Sequence, residues 1–315
     1  MKNKIVFFLC LAFVLFYNCD RRKITRTDTE TSGIATIASD ECFVPIMKEE
    51  LDVFTGLNPE AKITIIHTGE QELFNLLLTD SIRLIMAARD LTEAEKATLK
   101  KMELEIRSQK IAKDGIALII NNSNLDTMMN IALLKKIMTG EISQWNEIST
   151  TKSSKLGEIK VVFDNPNSST LRFIHDSIAK GAALSPNLRA LKSNPEVIEY
   201  VSKTPGALGI IGINWISNPY DSTKLSFDQS IQVMSVGTEE TMTEDNTYKP
   251  YPVYLNNDCY PLTRDVYLIL TDLRGTLPAG FVKFMAGDAG QRIILKAGLV
   301  PATRPTREIY ITDEF

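Results

Sequence analysis

One repeated pattern constrains this chain more than any other: a short apolar strand runs into a polar turn and then into an amphipathic helix. Gly33 to Ala38 leads through Ser39-Asp40-Glu41 into a helical face of Phe43, Ile46, Met47, Leu51 and Phe54. Ala61 to Ile66 leads through His67-Thr68-Gly69-Glu70 into a helix from Gln71 to Leu78. Ile82 to Ala87 leads through Ala88-Arg89-Asp90 into a helix opening at Leu91 to Glu95. Ile159 to Phe163 leads through Asp164-Asn165-Pro166-Asn167 into a helix with Leu171, Ile174 and Ile178 on one face. Strands alternating with helices imply an α/β fold, with mainly parallel sheets flanked by helices. Ligands of such sheets bind beyond the carboxyl ends of the strands. Ser39, Thr68, Arg89 and Asp90 all fall there.

The last unit carries the most chemistry. Ser168, Ser169 and Thr170 stand where the first turn of a helix leaves backbone N–H groups unpaired. Their hydroxyls add donors at the positive end of the helix dipole, which makes a cradle for a tetrahedral oxyanion. The plain alternative is a Ser/Thr cap on a surface helix. Around this unit the pattern predicts a strand over Met102 to Gln109, a turn at Ile111 to Gly115 and a buried strand over Ile116 to Asn121. Further on it predicts a helix closed by Gly140, a helix over Pro195 to Lys203 and a strand over Gly206 to Ile211. A strand over Ile231 to Val236, a strand over Tyr260 to Leu270 and helices over Gly280 to Met285 and Ala289 to Ala297 complete the fold.

The N-terminus reads as an export signal. Lys2 and Lys4 precede the apolar run Ile5 to Phe16, which is too short for a mature span of about twenty residues. Phe16-Tyr17-Asn18-Cys19, followed by Asp20-Arg21-Arg22-Lys23, resembles a bacterial lipoprotein signal with Cys19 as the lipidated residue; a plain signal peptide cut nearby is the alternative. The polar segment 20–32 then reads as a tether. Cys42 and Cys259 remain in the mature chain, either as a pair or as two buried thiols, and no Cys or His spacing resembles a metal site. The formal net charge of −4 is spread along the chain and argues against a nucleic-acid partner. An anion must therefore be captured by a local site. The chain has no G-x-S-x-G elbow, metal-type His pair or Walker loop, so no enzyme activity and no cofactor are expected.

The order of motifs resembles the phosphate-binding proteins that serve ABC transporters, members of the periplasmic substrate-binding superfamily. Lys113-Asp114-Gly115-Ile116-Ala117-Leu118-Ile119-Ile120-Asn121 resembles the family's strand between lobes. Ile137 to Trp145 is similar to its F-x-G-x-I-x-x-W passage, Thr204 to Ile210 to its x-x-G-A-I-G-Y strand, and Tyr260-Pro261-Leu262-Thr263-Arg264 to its Y-P-L-S-R return strand. The resemblance implies a two-lobe fold joined by two hinge crossings. Lobe 1 would be residues 33–113 plus 257–315 and lobe 2 residues 114–256, after a signal at 1–19. It also implies a monomer on the outer side of a bacterial membrane, held by a lipid anchor, that captures phosphate or a related oxyanion for an ABC transporter permease. An envelope sensor of another oxyanion or small organophosphate is the alternative.

By that resemblance the ligand set is Ser39, Asp40, Thr68, Gly69, Asp90, Ser168, Ser169 and Thr170. Asp90 stands where the family has a carboxylate that accepts the proton of hydrogen phosphate. A carboxylate is acceptor-only, so it suits a protonated oxyanion and leaves sulfate without a matching donor. The family places an Arg shortly before its anion loop, whereas Phe163 and Asp164 occupy that place here. Arg89 and Arg172, each beside an expected ligand, are the candidates to replace it.

Overall fold

The computed structural model describes residues 27–148, 156–218 and 226–304. The export signal and Cys19 lie outside them. The alternating pattern folds as read. β1 (Gly33–Asp40) and β2 (Ala61–Thr68) run parallel, with Ser39 beside His67 and Asp40 beside Thr68. α1 (Val44–Leu57) follows β1 after a short 3-10 turn, Glu41–Phe43, and α2 (Glu70–Leu78) follows β2. β3 (Leu84–Ala87) joins the other side of β1 and leads to α3 (Glu93–Lys101).

β4 (Arg107–Ile120) departs from the expectation. A turn was predicted at Ile111 to Gly115, but the strand runs through it without a break. Charged residues that resemble turn signals are cross-strand partners instead. Asp114 accepts from Arg264 at 2.9 Å, Lys113 reaches Asp258 at 2.6 Å and Lys110 reaches Asp265 at 2.5 Å. Gly115 packs closely: a Cβ there would lie 2.9 Å from Leu255 Cδ2, so that side chain would have to shift.

The second lobe is built around the far half of β4. β5 (Met128–Asn130) leads into α4 (Ile131–Thr139), capped by Asn130 and ended at Gly140. β6 (Lys160–Phe163) leads into α5 (Ser169–Phe173), which continues as one wide π turn, Ile174–Ile178. The predicted face is buried at Ile174 and Ile178 and half-buried at Leu171. β7 (Arg189–Ala190), α6 (Asn194–Lys203) and β8 (Ala207–Gly212) follow. The strand predicted over Ile231 to Val236 is two pieces serving two ladders: β9 (Gln232–Val233) pairs with β4, and β10 (Ser235–Gly237) pairs with β5. α7 (Pro252–Asn256) precedes β11 (Thr263–Leu270), and α8 (Leu277–Ala286), α9 (Asp288–Lys296) and β12 (Val300–Pro301) complete the first lobe.

The main sheet runs β2-β1-β3-β11-β4-β8-β6-β7. β4 belongs to both halves. It pairs with β11 from Arg107 to Gly115 and with β8 from Ile116 onward. The chain crosses back beside the same point, where Ile116 N–H donates to the Leu262 carbonyl at 2.8 Å and the Tyr260 hydroxyl donates to the Ile116 carbonyl at 2.6 Å. The carboxyl ends of β1, β2 and β3 therefore face the carboxyl end of β6 across a cleft. The end of the expected tether is docked rather than loose: Asp28 accepts from Leu277 N–H at 3.0 Å, satisfying the first turn of α8, and Glu30 pairs with Lys283 at 3.1 Å. Cys42 and Cys259 are separate thiols, the first buried and the second partly exposed.

Candidate functional site: the centre between the lobes

Each strand-to-helix turn delivers polar side chains to the cleft because the strand before it is held on both sides. Ser39 and Asp40 end β1 and are fully buried. Asp40 Oδ1 accepts from Cys42 N–H at 2.8 Å and so caps the turn that follows. After β6, Asp164 is fully buried, and Ser168 accepts from Leu171 N–H at 3.2 Å as the cap of α5. Capping turns the Ser169 and Thr170 hydroxyls into the interior, where both are buried.

The lobes meet at these residues. Arg264 on β11 donates through Nε to Asp114 at 2.9 Å and through Nη1 to the Ser169 hydroxyl at 2.9 Å, while Nη2 has no hydrogen-bond partner among the described residues. Cys42 Sγ lies 3.1 Å from Thr170 Oγ1, 3.4 Å from Ser169 Oγ and 3.8 Å from Asp164 Oδ2. Asn214, just after β8, donates to the Cys42 carbonyl at 2.8 Å, and Asn194 donates to Asp164 Oδ2 at 3.4 Å. First-lobe residues Cys42 and Arg264 thus touch second-lobe residues Ser169, Thr170, Asp164 and Asn214 directly.

Burial sets the electrostatics here. It pushes the Asp40 carboxyl up to about 6, although Arg264 pulls the other way. It also raises Asp114, again against Arg264, and raises the Cys42 thiol well above its ordinary value. A desolvated charge is costly unless paired. Burial opposes the Arg264 charge too, and Cys42, Asp114 and Asp40 beside it more than restore it.

The guanidinium that reaches Ser169 is that of Arg264, while Arg89 and Arg172 are held by carboxylates. Arg89 is held by both oxygens of Glu95 at 2.8 Å, by Glu70 at 3.3 Å and over the Phe74 ring at 3.6 Å. Arg172 donates through Nε to the same Glu70 oxygen and lies 3.6 Å from Asp176. Both guanidiniums converge on buried Glu70 and form a bridge between lobes, not a free anion receptor. Asp90 also points elsewhere. Its Oδ1 accepts from Leu91 N–H at 2.8 Å and from the Ser108 hydroxyl at 2.6 Å, and its side chain is 35 % exposed. Thr68 and Gly69 border a cleft of about 570 Å³ that also touches Glu41, Asn165, Asn167 and Lys192. A Cβ at Gly69 would lie 3.1 Å from the Asn167 carbonyl, so glycine permits this close approach of the lobes. The structure therefore gathers Ser39, Asp40, Ser169 and Thr170 with the further residues Cys42, Asp114, Asp164 and Arg264. It leaves Thr68, Gly69, Arg89, Asp90 and Arg172 around the rim. Arg264 and Asp114 become register partners on β11 and β4, and both stand in the passages that carry the family resemblance.

Comparison with known proteins agrees with this architecture. The curated phosphate-binding protein PstS of Borreliella burgdorferi is 24 % identical over 310 residues, covering 95 % of this chain and 99 % of that one. The protein of the same name from Staphylococcus haemolyticus is 21 % identical, covering 85 % of this chain and 79 % of that one. Among solved structures, a substrate-binding protein assigned to phosphate ABC transport, with phosphate bound, from Clostridium perfringens superposes with a TM-score of 0.69 at 22 % identity, covering 86 % of this chain and 100 % of that one. An ABC-type phosphate transport receptor from Vibrio cholerae gives 0.63 at 19 % identity, covering 84 % and 99 %. Residues 25–289 match the family profile described as PBP superfamily domain, and the chain belongs to that superfamily of two-lobe binding proteins.

Proposed function

We propose that this chain is an exported solute-binding protein that captures inorganic phosphate between its lobes and presents it to an ABC importer. The observation that carries the reading is the centre itself, where the buried Arg264 guanidinium, its Nη2 unpartnered among the described residues, and the Cys42 thiol of one lobe meet the Ser169 and Thr170 hydroxyls of the other. Capture is binding without a chemical step. Arg264 supplies the charge, and Ser169 and Thr170 supply neutral donors that replace the water shell of the anion, whereas the Ser39 hydroxyl donates to the Asp40 carbonyl at 3.0 Å. The hinge lies at Gly115/Ile116 and along 257–262, where both crossings pass side by side. The relatives named for phosphate binding support this reading of the ligand. Lipidation at Cys19 would hold the mature protein at the membrane; Cys19→Ser should move it into the soluble exported fraction.

One observation favours a second ligand reading. Asp90, the acceptor expected for the phosphate proton, is bonded to Ser108 and Leu91 instead. Another oxyanion or a small organophosphate, sensed at the envelope, accommodates that geometry. Calorimetric titration of ligand-stripped protein with phosphate, sulfate and molybdate separates the two. Phosphate alone binding supports phosphate capture, and preference for another anion overturns it.

A further inference from the structure

The end of the first lobe remote from the cleft carries a second cavity, built of different residues. β11 runs antiparallel to β3, so its carboxyl end, Leu270 beside Leu84 and Arg107, lies opposite the carboxyl ends of β1, β2 and β3. A cavity of about 470 Å³ opens there between the start of β4, the turn from β11 to α8, and α8 itself. Arg107, Arg274 and Lys283 line it together with one carboxylate, Glu30, while Leu270 and Val282 give it an apolar wall. Three cations against one carboxylate make this wall positive on a chain whose net charge is −4. Leu273, next to Arg274, is 62 % exposed.

The cations are available to a ligand. Arg107 Nε is buried without a hydrogen-bond partner among the described residues, and Nη2 of the same guanidinium donates to the Asp272 carbonyl. A buried donor left unpaired is costly, and an acceptor entering the cavity would satisfy it. Lys283 pairs with Glu30 at 3.1 Å and Arg274 with Glu105 at 3.8 Å. Both pairs are exposed, where such pairing contributes little and leaves the cation open to another anion.

The N-terminal segment leads to the same place. Asp28 accepts from Leu277 N–H, Glu30 lines the cavity, and a Cβ at Gly280 would collide with the Glu30 carbonyl, so the segment packs directly on α8. Cys19 stands nine residues before Asp28, a reach of about 30 Å at most. A lipid on Cys19 therefore keeps this end of the lobe within that distance of the bilayer.

We propose that this cavity takes the phosphate of an anionic phospholipid headgroup, held by Arg107, Arg274 and Lys283 with Leu273 entering the interface, and so seats the first lobe on the membrane that tethers it. This rests on the Cys19 anchor proposed above and is independent of what the cleft binds. The anionic oxygens of a phosphodiester only accept, which matches a wall of guanidinium and ammonium donors. Seated this way, the molecule turns its remote end to the bilayer and leaves the second lobe free to swing about the hinge.

The test is flotation of the exported Cys19→Ser chain, which carries no lipid of its own, with vesicles of phosphatidylcholine alone or mixed with phosphatidylglycerol. The expected result is binding to the mixed vesicles only, weakened by salt and weakened about fivefold by Arg274→Gln and by Lys283→Gln. Arg107→Gln should weaken it at least as much. Phosphate affinity should be unchanged in all three, because they lie at the end remote from the cleft. No binding to the mixed vesicles, or binding that all three variants keep, overturns the proposal and leaves the anchor standing. Binding to a polyglutamate peptide in place of the vesicles also overturns it, in favour of an acidic protein partner. The mass of the wild-type exported chain reads the anchor separately: a mass without lipid on Cys19 overturns the anchor, whatever the vesicles show.

Discussion

At the scale of single residues, the account turns on Arg264 and on one carboxyl far from the cleft. Arg264 joins Asp114 to Ser169, so truncating it removes the only buried cation described at the centre. Arg264→Gln should weaken phosphate binding by at least a hundredfold, a loss of about 2.7 kcal/mol, in calorimetric titration. Glu50 lies on the buried face of α1 with Met47 and Phe54, and neither of its oxygens has a partner among the described residues. Burial, with the charge of Glu49, raises its carboxyl from 4.5 to about 9. The sign follows from linkage: the folded state keeps the proton that the unfolded state releases, so stability is lost as pH rises from the unfolded value toward the folded one. Glu50→Gln should raise stability at pH 7 by on the order of 2–3 kcal/mol in urea unfolding. The gain should shrink toward zero near pH 4.5. The loop hydroxyls were legible in the sequence because they follow a strand and precede a helix. Arg264 was visible as a motif residue but not as the cation, since its role depends on a partner 150 positions away along the chain.

At the scale of elements, the alternating units read correctly because each strand has an apolar run that ends in a polar turn before an amphipathic helix. α3 is the clearest case. Thr92 accepts from Glu95 N–H at 3.3 Å, and Glu95 accepts from Thr92 N–H at 2.7 Å. Thr92→Ala should cost about 1 kcal/mol in thermal or urea unfolding, with phosphate affinity unchanged because the cap lies outside the centre. β4 read wrongly for a physical reason. Lys113, Asp114 and Gly115 look like a turn in isolation, and only their long-range partners, Asp258 and Arg264, show the charges to be satisfied within one long strand. The same limit hid the division of 231–236 into two strands, since local propensity says nothing about which neighbour a strand will find.

At the scale of the molecule, two kinds of contact hold the lobes together. The centre joins Cys42 and Arg264 to Ser169 and Thr170 after β6, and the rim joins Arg172 to Glu70 and Asn165 to Glu41 at 2.6 Å. Glu70 gathers guanidiniums from both lobes, so Glu70→Ala leaves Arg172 with only Asp176 of its own helix and removes a bridge across the cleft. The variant should show a larger radius of gyration in solution scattering without phosphate and about tenfold weaker phosphate binding. An unchanged radius would place the latch elsewhere. The two-lobe plan was legible from motif order, whereas the closed contacts depend on how the lobes sit against each other, which no local pattern encodes. The most direct test of the central claim is titration of phosphate into ligand-stripped protein at pH 7, with sulfate as the comparison and Arg264→Gln alongside. Saturable, one-site phosphate binding that sulfate does not reproduce and the variant largely loses is the predicted result; no phosphate binding by the folded wild-type protein, or equal binding by the variant, would contradict it.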